Sequence, residues 1–179
     1  MVPATADAPS PHTGSGMLGI VDDMATTYAV VPFVVHAEGT GVQQDITVAG
    51  DNPHQIKADT YPAFGGEDKA PSPLAYALTA LSSCNQVVSQ GVAQGLGITL
   101  GAFTFDVQGD LDTAVIAGGE EGNANFDKVT VKATVESDAT PEQFEQLKSE
   151  TERRCPVTQL FVRSGLEYTS EWTQAPLAG

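Results

Sequence analysis

Ser72 and Pro73 open a stretch that holds no further proline up to Gln94, and this stretch constrains everything around it. A serine hydroxyl accepts a hydrogen bond from a first-turn amide, and proline at the first helical position gives up an N–H that would lack a partner there. At 100° per residue Leu74, Leu78, Leu81, Val88, Val92 and Leu96 fall on one apolar stripe. The spacing therefore predicts a long helix from Ser72 to around Gly95 and Gly97, with one face on a core. Cys84 lies at the edge of that stripe. The small residues Ala80, Ser82 and Ser83 predict a break or kink just before it.

Ahead of this helix, runs rich in β-branched residues at 27–35, 42–48 and 54–58 read as strands, with Gly39, Gly41 and Gly50-Asp51-Asn52-Pro53 as turns between them. They predict an antiparallel meander. Pro62, Gly65, Gly66 and Pro71 make 61–72 a loop. Behind the helix, 98–109 alternates as a strand with Leu100, Ala102 and Val107 facing the core. A stricter alternation runs over 128–136 through Val129, Val131, Ala133 and Val135. Thr140, Pro141 and Gln143 supply an N-cap, a first-turn proline and a capping-box partner for a helix to about Arg154. Pro156 ends that helix and opens a short one through Val162, leaving Cys155 as its N-cap. A last strand covers 166–173. Strands and helices in this order define an α+β fold.

A chain of 179 residues, 41% hydrophobic, buries enough core for one domain without staples. Residues 1–16, rich in Pro, Ala, Ser, Thr and Gly, read as a disordered tail ahead of a single domain over 17–179. Eight Lys and Arg against 23 Asp and Glu give a formal charge of −15, which repels phosphate backbones and anionic lipid surfaces. Nucleic-acid and membrane partners are therefore not expected. The apolar run 29–35 is short and broken by Pro32. A start without basic residues or an apolar stretch points to the cytoplasm, where disulfide scaffolding is rare.

The chain holds two cysteines, Cys84 and Cys155, in neither a CxxC pair nor a histidine cluster that would bind zinc. His12, His36 and His54 stand alone, which argues against a metal site or a Ser-His triad. Each cysteine is either a small buried hydrophobe or a redox thiol. Cys155 has a helix start after it and Arg153 and Arg154 before it, both of which favour a thiolate.

The run Gly65-Gly66-Glu67-Asp68-Lys69-Ala70-Pro71-Ser72-Pro73-Leu74, followed by Ala80-Leu81-Ser82-Ser83-Cys84, resembles the OsmC/Ohr family of hydroperoxide-reducing proteins. Arg153-Arg154-Cys155-Pro156-Val157 and the connection Gly95-Leu96-Gly97-Ile98 are similar to the same family, and the likeness spans roughly 54–172. The resemblance implies an intertwined homodimer with an N-terminal antiparallel sheet, a long central helix, a second strand pair and further helices. It implies that Cys84 is the peroxidatic thiol, oxidised to a sulfenic acid that Cys155 resolves as a disulfide. A dithiol reductant, of the lipoyl type in the hydroperoxide-resistance branch, restores the thiols; no cofactor or metal is implied.

The family holds an arginine in the N-terminal sheet region and a glutamate on the helix. This chain has Leu74 and Ala75 where that glutamate would stand and no arginine before Arg153. Arg154 or Arg153 is then the candidate cation, and Glu67 or Asp68 the candidate carboxylate. Two other readings stand beside peroxide reduction. One is an OsmC-fold protein that binds a hydrophobic small molecule at its dimer interface; the other is an interaction module whose cysteines are core residues.

Overall fold

A tight turn at Gly41 sets the register of the first sheet. The computed structural model describes residues 28–178, so the tail expected over 1–16 and the start of the run at 27 lie outside the described residues. The chain divides into two units, Met1–Phe33 and Val34–Gly179, and every element below belongs to the second. Strand β1 (Val35–Thr40) starts where the run 27–35 was expected to end. Gly41, at φ 64°, makes the turn into β2 (Gln43–Val48) and pairs Thr40 with Gln43, so that β1 stops at the partner of Val48. The residues from Tyr28 to Val34 are not strand. Gly39 is a strand residue rather than a turn: a Cβ there would lie 2.3 Å from the carbonyl oxygen of Gln43. β3 (His54–Ala58) completes the meander β1-β2-β3, antiparallel throughout.

A single 3-10 turn at Pro62–Phe64 interrupts the following loop. α1 (Pro73–Leu96) then runs for 24 residues, capped by Ser72, whose hydroxyl accepts the Ala75 amide at 3.2 Å. It ends at Gly97 in the left-handed conformation (φ 67°), whose N–H reaches the carbonyls of Ala93 and Gln94. The expected break before Cys84 is not there. The hydroxyls of Ser82 and Ser83 turn back onto the carbonyls of Thr79 and Ala80, so small residues here leave the helical ladder intact.

The second sheet has β5 (Lys128–Ser137) at its centre, antiparallel to β4 (Leu100–Asp110) and parallel to β6 (Glu167–Ala175). The last strand thus joins the expected pair as a third. A bulge between Leu100 and Phe103 reverses the inward face of β4, so Ala102, expected inside, is exposed and Phe103 and Phe105 take its place. A short α2 (Thr113–Ile116) lies in the connection between β4 and β5. α3 (Pro141–Arg154) has the capping box of Thr140 and Gln143, and α4 (Pro156–Arg163) follows it directly.

The core forms where α1, α3 and α4 cover β5. Val129, Val131, Ala133 and Val135 are buried as their alternation requires. Val92, Ala93, Phe144 and Leu147 pack on one half of the strand, with Trp172 beside them; Leu81 and Phe126 pack on the other, with Phe161 and Tyr168 beside them. The first sheet contributes little, since Ala58 is its one buried residue. Among the described residues no helix is long and apolar enough to cross a membrane.

Candidate active site

Pro156 does two things at once. It excludes the α conformation from Cys155, which sits at φ −72°, ψ 112°, and it starts α4 immediately afterwards. Cys155 therefore caps α4: its Sγ accepts the Thr158 amide at 3.4 Å, in a position with no solvent exposure. Cys84 comes from the middle of α1, half-buried, and receives nothing from the N-terminus of its own helix. It is served by α4 instead, because the Val157 amide donates to its sulfur. One helix N-terminus thus presents successive amides to both thiols, a partial positive charge that favours thiolate.

Other forces act against the Cys84 thiolate. Burial raises its pKa most, and the hydrogen bond its S–H donates to Cys155 raises it further; the Val157 amide lowers it only in part. The Cys84 thiol therefore rests protonated at neutral pH.

Of the six residues singled out in the sequence, the two cysteines are brought together. Arg154 and Arg153 are both bound to Glu150, with contacts of 2.8 to 2.9 Å, and these hydrogen bonds hold the Glu150 carboxyl at about 2. Glu67 is paired with Lys69 and accepts from Gln43 at 3.2 Å. Among the described residues neither Arg154 nor Glu67 is hydrogen-bonded to a thiol.

Glu67 belongs to a separate arrangement around Asp59, a carboxylate only 1% exposed. Asp59 accepts the amides of Thr60, Glu67 and Lys69 at 2.8 to 3.2 Å, and the Lys69 amide above all lowers its pKa. Gly66 completes the turn, since a Cβ there would stand 2.0 Å from the Thr60 carbonyl oxygen. This knot delivers the chain to Ser72, and Tyr76 Oη donates to the Lys57 carbonyl at 2.6 Å to tie α1 to β3.

Side chains that sequence reasoning passed over line the back of the thiol pair. Asn85 donates to the Leu81 carbonyl at 2.7 Å and to Thr158 Oγ1 at 3.1 Å; Ser89 donates to the Asn85 carbonyl and meets Thr151 at 3.3 Å. All four are buried. Asn85 and Ser89 stand four and eight residues after Leu81, so they lie in the stripe that was read through its apolar members alone. An apolar cavity of about 470 Å³ opens elsewhere, at the start of α1, between Val42, Tyr61, Phe64, Leu74, Leu111 and Ile116. Neither cysteine lines it.

An α+β protein with a central helix and a paired-thiol site at the start of a second helix is the class this geometry defines. The family description "OsmC-like protein" matches residues 66–171, and the chain belongs to that family. Among solved structures, the OsmC-like protein of Mycoplasma pneumoniae superposes with a TM-score of 0.66 at 19% identity, covering 81% of this chain and 98% of its own. An organic hydroperoxide resistance protein OsmC from Legionella pneumophila gives 0.60 at 16%, covering 82% and 99%. The organic hydroperoxide resistance protein OhrB of Bacillus subtilis gives 0.52 at 20%, covering 80% and 99%. No curated protein matches the chain.

Proposed function

We propose that the protein reduces hydroperoxides through Cys84 and Cys155. The observation that carries this reading is the pairing of a half-buried thiol with a fully buried one in a single hydrogen bond, under the first amides of α4. Cys84 is the sulfur a substrate reaches. Its thiolate attacks the outer peroxide oxygen, the O–O bond breaks, and the alkoxide leaves as alcohol after taking a proton. The Cys84 sulfenic acid then accepts Cys155, releasing water and forming a disulfide, which a dithiol of the lipoyl type reduces. The Val157 amide stands in for the arginine this chain lacks, without matching its full charge.

Homodimer formation is part of the same proposal. A three-stranded antiparallel sheet that buries Ala58 alone lacks the covered face such sheets need, and Val87 of α1 is 72% exposed. A second copy covers both. The cytoplasm, with its reducing poise, keeps the dithiol ready.

The test treats reduced protein with one equivalent of an organic hydroperoxide, traps the remaining thiols and maps both cysteines by peptide mass spectrometry. A rapid Cys84–Cys155 disulfide, faster than with hydrogen peroxide, is the expected result; slow, unselective oxidation overturns the reading. The apolar cavity at the start of α1 favours a second one, in which the fold binds a hydrophobic small molecule and the thiols do little. Displacement of a bound fluorescent fatty acid, with unreactive cysteines, would be its signature.

A further inference from the structure

Cys155 is bracketed in the chain by two buried threonines, and each of them reaches across to α1. Thr158 donates its amide to the Cys155 sulfur at 3.4 Å, and its hydroxyl accepts from Asn85 Nδ2 at 3.1 Å. Thr151 accepts the Cys155 amide on its carbonyl at 2.8 Å, and its hydroxyl meets Ser89 Oγ at 3.3 Å. Ser89 gives its one hydroxyl hydrogen to the Asn85 carbonyl at 2.7 Å, so Thr151 is the donor in that pair. Asn85 follows Cys84 directly in α1, so the helix that carries the outer thiol also carries both ties. Each α1 side chain is held to its own helix as well, Asn85 through the Leu81 carbonyl at 2.7 Å. Neither can swing away without losing two bonds.

Such ties are a poor source of stability. Asn85 is 1% exposed, and its Oδ1 finds no partner among the described residues, a cost that an apolar side chain would not carry. A buried polar pair replaced by apolar groups of the same shape is often as stable or more so. What a hydrogen bond adds is direction: apolar helix faces can slide along one another, whereas a donor and an acceptor meet in one register only. We propose that Asn85 and Thr158, with Ser89 and Thr151 behind them, are positioning residues that clamp the start of α4 to α1 in the register that sets the Cys155 sulfur against Cys84. The clamp thereby governs how fast the disulfide closes. This rests on the hydroperoxide reading for its natural oxidant. In the closing step the Cys155 S–H bond breaks and an S–S bond forms, while the S–O bond of the Cys84 sulfenic acid breaks. The hydroxide leaves with its electron pair and takes the thiol proton to become water. The Cys155 sulfur is oxidised and the Cys84 sulfur reduced. Neither tie carries a charge, so the clamp acts on the rate through geometry and leaves its pH dependence alone.

The experiment needs no peroxide, so its failure and the failure of the hydroperoxide reading are separate events. Reduced full-length protein receives one equivalent of the neutral aromatic disulfide dithiodipyridine. Cys84 releases the first thiopyridone, and attack of Cys155 on the resulting mixed disulfide releases the second. A thiol on a flexible tether reaches an effective concentration in the millimolar range, whereas a held one exceeds about 1 M. The wild-type second phase should therefore outrun, by about a hundredfold or more, the attack of about 10 mM glutathione on the same mixed disulfide in Cys155→Ala. Thr158→Val keeps the shape and the amide but removes the acceptor; it should slow the second phase about thirtyfold, with the urea midpoint unchanged or higher and the pH profile parallel to that of the wild type. Thr158→Ser keeps the hydroxyl and should stay within about threefold of the wild type. Asn85→Leu should match Thr158→Val, and the double variant should be no slower than either, as one shared tie requires. A second phase in Thr158→Val within about threefold of the wild type overturns the proposal, and so does a slowing shared equally by the first phase. A wild-type second phase no faster than the glutathione reaction overturns it whether or not any variant folds.

Discussion

The half-buried thiol of Cys84 donates its hydrogen to the fully buried sulfur of Cys155, although the two come from the middle of one helix and the cap of another. Burial above all, and that bond after it, raise the Cys84 pKa and favour the neutral thiol.

Alkylation kinetics check the protonation of Cys84. Burial and the Cys155 bond both raise its pKa above the ordinary thiol value, so the thiolate grows as pH rises and is a small fraction at pH 7. The rate with iodoacetamide should climb about tenfold per unit from pH 7 to 9 without a plateau. Cys155→Ala removes the acceptor that stabilises the neutral thiol, and should speed alkylation several-fold at pH 7. A plateau below pH 8 in the wild type would show a cation at the site that the described residues do not supply.

Packing makes a sharper contrast along α1. Leu81 is wholly buried between α1 and β5, whereas Leu74, on the same stripe, is 41% exposed beside the apolar cavity. Leu81→Ala should cost roughly 2–5 kcal/mol in urea unfolding, and Leu74→Ala under about 1 kcal/mol. Equal costs would mean that the cavity is filled by chain or ligand in solution.

Local signals made much of this legible. Ser72-Pro73, Thr140-Pro141-Gln143 and Pro156 each fix a helix start within a few residues, and the alternation of Val129 to Val135 fixes the inward face of β5. What was not legible depended on partners far away in sequence. Val157 serves Cys84 only because α4 lands against α1, and nothing near Cys84 announces it. The exposed Ala102 follows from a bulge that Glu136 fills from the next strand, its Oε2 accepting the Ala102 amide at 3.1 Å. Arg154 and Glu67 are charges of the right kind, yet each has a nearer partner, Glu150 four residues away and Lys69 two.

Asp59 should govern the loop that leads into α1. Its carboxylate accepts three backbone amides, and replacing it with asparagine sets an NH₂ group against one or more of them. Asp59→Asn should leave the second sheet intact while raising the rate of proteolytic cleavage within 60–70 about tenfold. Gly66→Ala should do the same by a different route, since its Cβ meets the Thr60 carbonyl. Unchanged cleavage in both would mean that the loop is held by something other than this knot.

Acid should weaken the end of α3 in a window set by Glu150. The Arg153 and Arg154 guanidinia hold its carboxyl at about 2, below the ordinary 4.5, so the folded state binds the proton less readily than the unfolded chain does. The stabilisation is complete above 4.5 and is lost as pH falls from there through 2. Thermal unfolding of the wild type between pH 5 and pH 2 should therefore decline more steeply than that of Glu150→Gln, which has no such proton to bind. The pair is solvent-facing, so 1 M salt should shrink the difference between the two curves. The same variant frees both arginines beside Cys155. If it also quickens the reaction of Cys84 with hydroperoxide at pH 7, the guanidinia are within reach of the thiols once Glu150 lets them go; if it does not, the amides of α4 act alone.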